Sequence, residues 1–149
     1  MPGNFLLLDY GSNHFPDIRY IHIIRNGLDM AFSENSNQLK NWGFYFGIEA
    51  SSSPVSMLKY WIDANKYAIS KGRTLLWDKF HLLNYDSLIT NSKEVNEELC
   101  SFLGVYDLDI GELSKIVKKT NSSERYKKND ISLFSQSDLD ELTNLGFHL

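Results

Sequence analysis

The chain has 149 residues, which suits one domain over residues 1–149, and its 42% hydrophobic and 23% charged content is that of a globular protein. Nine Phe, eight Tyr and three Trp set it apart from disordered sequences, and a net charge of −4 gives no overall attraction to nucleic acid or to an anionic membrane. The single cysteine, Cys100, excludes an internal disulfide and a cysteine-based metal cluster, and it falls in an apolar helical pattern as a small buried residue. No apolar run approaches the ~20 residues that span a bilayer, and Met1–Leu8 lacks a basic leader region, so a cytoplasmic protein is expected.

In chain order, Phe5-Leu6-Leu7-Leu8 reads as a helix ending near Gly11, and Phe15-Pro16-Asp17 as a turn holding His14 at its edge. Arg19–Ile24 is apolar on both faces apart from His22, the pattern of a parallel strand covered by helices. Asn26 is a good helix N-cap with Asp29 at the reciprocal position, and the helix is expected to run to about Asn35. A cation, Arg25, thus stands at the end of the strand and a hydroxyl, Ser33, follows eight residues later. Ligands of open α/β sheets bind outside the carboxyl ends of strands, and helix N-termini favour anions, so this stretch predicts a phosphate site.

Residues 36–53 read as a long functional loop or an irregular lid around the aromatic island Trp42-Gly43-Phe44-Tyr45-Phe46-Gly47, which core packing also explains. Ser53-Pro54 opens a helix with Val55, Leu58, Trp61, Ile62, Ala68 and Ile69 on one side, ended by Gly72. Leu75–Trp77 and Phe80–Asn84 are extended candidates. Asn91 and Glu94 form a capping box for a helix to Gly104, a shorter helix lies near Ile110–Val117, and residues 118–130 form a polar, basic-leaning loop. Ser137 caps a last helix over Leu139, Leu142 and Leu145. Alternating strands and helices indicate an α/β fold, yet the two or three visible strands are few for an independent doubly wound sheet.

These residues resemble the C-terminal half of a sulfotransferase of the bacterial and tyrosylprotein-like branch, enzymes that use 3'-phosphoadenosine 5'-phosphosulfate (PAPS). Phe15–Ser33 is similar to the family's 3'-phosphate-binding strand and helix, and Trp61–Asn65 to its next helix. Asn84–Leu88 with Phe102-Leu103-Gly104 is similar to the following strand and helix, and Ser122–Tyr126 with Leu145-Gly146-Phe147 to the closing segment. The resemblance implies a partial P-loop-like fold with few parallel strands and flanking helices. It makes Arg25 and Ser33 ligands of the donor's 3'-phosphate, a guanidinium fork and one directed hydroxyl bond.

Arg125 matches a second cation at the same phosphate or is a solvated loop arginine; Ser123 is a weaker candidate beside it. Asp29 matches a recurrent acid, read here as a capping or dipole group. Tyr85 and Asp86 are read as structural, and His14, His22, His81 and His148 supply no catalytic base.

The family's 5'-phosphosulfate loop has no counterpart here, and no Gly-x-x-x-x-Gly-Lys-Ser/Thr occurs in the sequence. The resemblance therefore implies an N-terminally incomplete, truncated sulfotransferase domain with little turnover alone, no metal site, and adenosine 3',5'-bisphosphate as the nucleotide product. The resemblance also implies a hydroxyl or an amine as the acceptor. The alternative is a non-catalytic nucleotide-binding or interaction module, and an exposed sheet edge would invite a homodimer. A kinase-like protein lacks its Walker lysine here.

Overall fold

The computed structural model describes residues 3–120 and 123–148, so that Ser122 of the closing segment lies outside the described residues. The chain divides into two compact units. One is drawn from residues 1–6, 26–68 and 122–149, and the other from residues 7–25 and 69–121. The helix α4, Pro54–Leu76, passes from the first to the second at Ala68.

The second unit holds the sheet. Strands β1 (Tyr20–Ile24) and β2 (Phe80–Asn84) pair in parallel, with Tyr20 opposite Phe80 and Ile24 opposite Asn84. Helix α1 (Leu8–His14) precedes β1 and is tied to α4 by the Lys71–Asp9 ion pair at 2.9 Å. It does not stop at Gly11: the helix runs on to His14, whose Nδ1 lies 2.9 Å from the Tyr10 carbonyl and whose ring stacks on Tyr10. His14 is therefore a helix residue and not a turn residue.

Gly72 likewise lies inside α4. A β-carbon there would enter the Phe80 ring, so the glycine lets β2 approach the helix instead of ending it. Leu75–Trp77 is correspondingly not extended. Leu76 closes α4, residues Trp77–Lys79 form a short 3₁₀ turn, and Trp77 takes a positive φ of 48° as the chain swings into β2.

The Asn84 side chain accepts the amides of Asp86 and Ser87 and caps a helix that the sequence pattern does not announce, α5 (Tyr85–Thr90). Helix α6 (Ser92–Leu103) follows, but Asn91 makes no side-chain cap bond, so the expected capping box is not formed. Gly104 ends α6 in the left-handed conformation at φ 71°, as glycine permits. Helix α7 (Ile110–Ile116) is capped by Asp109. Buried Asn96 joins α6 to α7 through Ser114 Oγ at 3.5 Å. Cys100 is buried, in agreement with its helical apolar setting.

The first unit is helical. It contains α2 (Gly27–Ala31), α3 (Asn37–Trp42), the first two-thirds of α4 and α8 (Gln136–Asn144). Gly27 sits so close to Trp61 and Leu142 that a β-carbon would overlap both, which seats α2 directly on its neighbours. Leu28, Leu39, Leu58 and Leu142 are almost fully buried, and edge-on ring pairs Phe32–Phe134 (5.6 Å) and Trp61–Phe147 (5.7 Å) complete the core. Helix α8 is capped by Ser135, whose Oγ accepts from the Asp138 amide; Ser137 is an interior residue of that helix.

The 36–53 region is not a loop throughout. After α3 comes a 3₁₀ turn, Gly43–Phe46, closed by left-handed Gly47. The aromatic island divides accordingly. Phe46 packs with Phe5, Tyr60 and Tyr67, whereas Phe44 (66% exposed) and Tyr45 meet as tilted rings 4.2 Å apart on the surface.

Candidate functional site

The carboxyl end of β1 delivers Arg25. In parallel pairing the next position on β2 is Tyr85, and the Arg25 guanidinium carbon lies 5.6 Å from the Tyr85 ring centre, within cation–π range. The half-buried arginine is therefore braced by an aromatic face. The structural role that the sequence suggests for Tyr85 thus has a definite form.

Asn26 follows at once and caps α2 as its sequence suggests. Its Oδ1 accepts from the Leu28 amide at 2.9 Å and from the Asp29 amide at 3.4 Å. Helix α2 is five residues long and ends at Ala31, short of the expected Asn35. Phe32 turns out of the helix as its ring meets Phe134. Ser33 consequently lies beyond the helix, with its amide on the Met30 carbonyl and its Oγ accepting from the Asn35 amide at 3.2 Å.

The segment that carries Ser123 and Arg125 comes to this same place. The Asp29 carboxylate accepts two amides from it, that of Glu124 at 2.7 Å and that of Tyr126 at 3.1 Å, across 95 and 97 residues of sequence. Glu124 has a left-handed backbone (φ 61°), and Arg125–Lys128 forms a 3₁₀ turn within the expected polar loop. Between the two bonded amides the Arg125 side chain reaches the Phe32 carbonyl, with Nη1 donating at 3.3 Å. Arg125 thereby stands one residue from Ser33 along α2's exit, half-buried rather than solvated in a free loop. Ser123, also half-buried, opens the same turn.

Two acids stand beside Arg125, but Asp29 is held by amide donors and the Glu124 carboxylate lies 2.6 Å from Lys127 Nζ. That hydrogen bond and the nearby negative charge push the exposed Lys127 ammonium above its ordinary range. The Arg125 guanidinium, bonded to the Phe32 carbonyl, and the hydroxyl of the next residue, Ser33, are the groups here whose chemistry suits a phosphate or sulfate.

Other chemistry-bearing residues go elsewhere. His22 stacks in the Tyr20–Phe80 ring group, and His81 stacks on Phe102 at 5.0 Å. Among the described residues no three His, Cys, Asp or Glu side chains are grouped to hold a metal ion. Among them, too, no helix is long and apolar enough to cross a membrane.

The family model described as "Sulfotransferase family" matches residues 1–109. That span includes Arg25, Asp29 and Ser33 and stops before Ser123 and Arg125. Neither the curated proteins nor the solved structures contain a match.

Proposed function

The chain belongs to the sulfotransferase family, and on that premise we propose that it carries the 3'-phosphate-binding part of a PAPS-dependent enzyme with a P-loop-like fold. The reaction moves a sulfuryl group from PAPS to a hydroxyl or amine and releases adenosine 3',5'-bisphosphate. In it the acceptor oxygen or nitrogen forms a bond to sulfur as the bond from sulfur to the nucleotide phosphate breaks. The acceptor proton passes to a base, and the phosphate leaves with the electron pair. Positioning and cation stabilisation of the leaving phosphate dominate such transfers.

The observation that carries the reading is the attachment of the Ser123–Tyr126 turn to α2. Two bonds to Asp29 hold it there, and Arg125 meets the Phe32 carbonyl beside Ser33. In the proposed site Arg125 and Ser33 grip the 3'-phosphate with Ser123 adding a hydroxyl. The family resemblance alone assigns Arg25 as a further phosphate ligand through its guanidinium fork. No residue is assigned as the base.

The 149 residues contain no Gly-x-x-x-x-Gly-Lys-Ser/Thr loop for the 5'-phosphosulfate, so they are proposed to bind nucleotide with little turnover by themselves. The same fact supports the second reading, a non-catalytic nucleotide-binding module. A second copy of the chain is the proposed protein partner. Among the described residues the sheet has only two strands, and Ile23 is 61% exposed.

Calorimetric titration tests the nucleotide reading. Adenosine 3',5'-bisphosphate should bind at least about tenfold more tightly than adenosine 5'-monophosphate, because charge-assisted bonds to the extra phosphate are among the stronger polar contacts. Equal affinity for the two would remove the 3'-phosphate from the account.

A further inference from the structure

We infer that Asp29 is a positioning residue, whose carboxylate fixes the left-handed turn at Glu124 and so sets where the Arg125 guanidinium is presented. The inference rests on the nucleotide reading above. Family membership assigns Asp29 no such task, and its place in the first turn of α2 suggests only a cap or dipole partner.

The geometry is that of a small anion cradle. When a left-handed residue adjoins right-handed ones, the amides at positions one and three point into one small concavity that suits an anion. Here the left-handed residue is Glu124 and the converging amides are those of Glu124 and Tyr126. The Asp29 carboxylate, on a residue only 2% exposed, fills the cradle.

A residue with a β-carbon avoids φ near +60°, so the turn needs an external hold. Asp29 supplies that hold with both oxygens. Arg125 lies between the two anchored amides, so its side chain leaves the turn in a fixed direction and meets the Phe32 carbonyl at 3.3 Å. The same two amides disperse the Asp29 charge, which would otherwise oppose a phosphate beside Ser33.

An asparagine at position 29 keeps the shape but offers one acceptor and turns a donor toward the other amide. In the full chain, adenosine 3',5'-bisphosphate is titrated by calorimetry into wild type, Asp29→Asn, Arg125→Ala and the double variant. Each single change is expected to weaken binding about tenfold. The double variant should fall within about twofold of the single ones, since both changes remove one group from its place.

In the Asp29→Asn background, Glu124→Gly should restore affinity to within about threefold of wild type, because glycine takes the left-handed conformation unaided. Glu124→Gln removes the same charge but keeps the β-carbon and should not. A role limited to stability would give no such selective rescue. Additive losses, or Asp29→Asn binding like wild type, overturn the inference.

Should Asp29→Asn fail to fold, Glu124→Val on the exposed turn disfavours the left-handed residue with Asp29 intact. It is expected to show the same non-additivity with Arg125→Ala, and additivity overturns the inference. If wild type itself does not bind the nucleotide, the nucleotide reading fails, and proton NMR cross-peaks between the Arg125 side chain and Phe32 decide the positioning claim. Disappearance of these cross-peaks in Asp29→Asn, or in Glu124→Val, upholds it; their persistence overturns it.

Discussion

The Phe80 ring occupies the space that a β-carbon on Gly72 would need, so the last turns of α4 and the start of β2 are in contact through a missing side chain. Phe80 is in turn stacked at 6.0 Å on Tyr20, its register partner on β1. Gly72→Ala is therefore expected to destabilise the protein by about 1–2 kcal/mol, as overpacking outweighs the ~1 kcal/mol that alanine adds to a helix interior. Urea unfolding measures the change. A stabilised variant would mean that the ring and the helix are not in contact.

The two asparagines that precede α5 and α6 should differ. Asn84 accepts two amides at the start of α5, whereas Asn91 makes no side-chain cap bond at the start of α6. Asn84→Ala is expected to cost about 1 kcal/mol, and Asn91→Ala less than about 0.5 kcal/mol. Equal losses in chemical denaturation would contradict the assignment of the cap.

Tyr60 is 5% exposed, and among the described residues its hydroxyl has no hydrogen-bond partner. Burial pushes the phenol up to about 12. Because the folded value lies above the unfolded one of 10.0, the stability tied to neutral Tyr60 is complete below pH 10 and is lost as pH rises toward 12. Tyr60→Phe is expected to be neutral or to stabilise by up to about 1 kcal/mol, since it removes an unsatisfied buried group, and to flatten the alkaline limb of the stability curve. Thermal midpoints from about pH 8 to about pH 11.5 check this. A loss of stability on substitution would show that the hydroxyl has a partner.

The open two-stranded sheet should make the chain self-associate. Sedimentation velocity across micromolar concentrations is expected to show a dimer, and Ile23→Lys on β1 should shift it toward monomer by placing a charge on the exposed strand. A monomer throughout that range would remove the second copy from the account.

The features legible in the sequence are those decided within a few residues. The Asn26 cap, the Ser53-Pro54 start with Ser53 Oγ on the Ser56 amide, and the Gly104 stop each depend on neighbours in the chain. Strands β1 and β2 are visible because apolar runs of that length suit a parallel pair, but the full cover that the pattern suggests is not met, since Ile23 is 61% exposed.

Where sequence and structure part, the causes are tertiary. Gly72 carries the signature of a helix end, but its reason is the Phe80 ring. Ser137 and Ser135 are equally good caps locally, and the structure uses the one whose Oγ reaches the Asp138 amide. Asp29 sits at a capping position, and no local rule reveals that its carboxylate meets amides 95 and 97 residues away. The candidate residues Ser33 and Arg125 can each be named from sequence, but the bond network that brings them together cannot.

The most direct test of the central claim is calorimetric titration of adenosine 3',5'-bisphosphate into the wild-type chain and into Arg25→Ala. Removal of a guanidinium that forks onto a phosphate should weaken binding by at least about tenfold while leaving the thermal midpoint within a few degrees. No binding by wild type, or binding unchanged in Arg25→Ala, would contradict the assignment of a 3'-phosphate site at the end of β1.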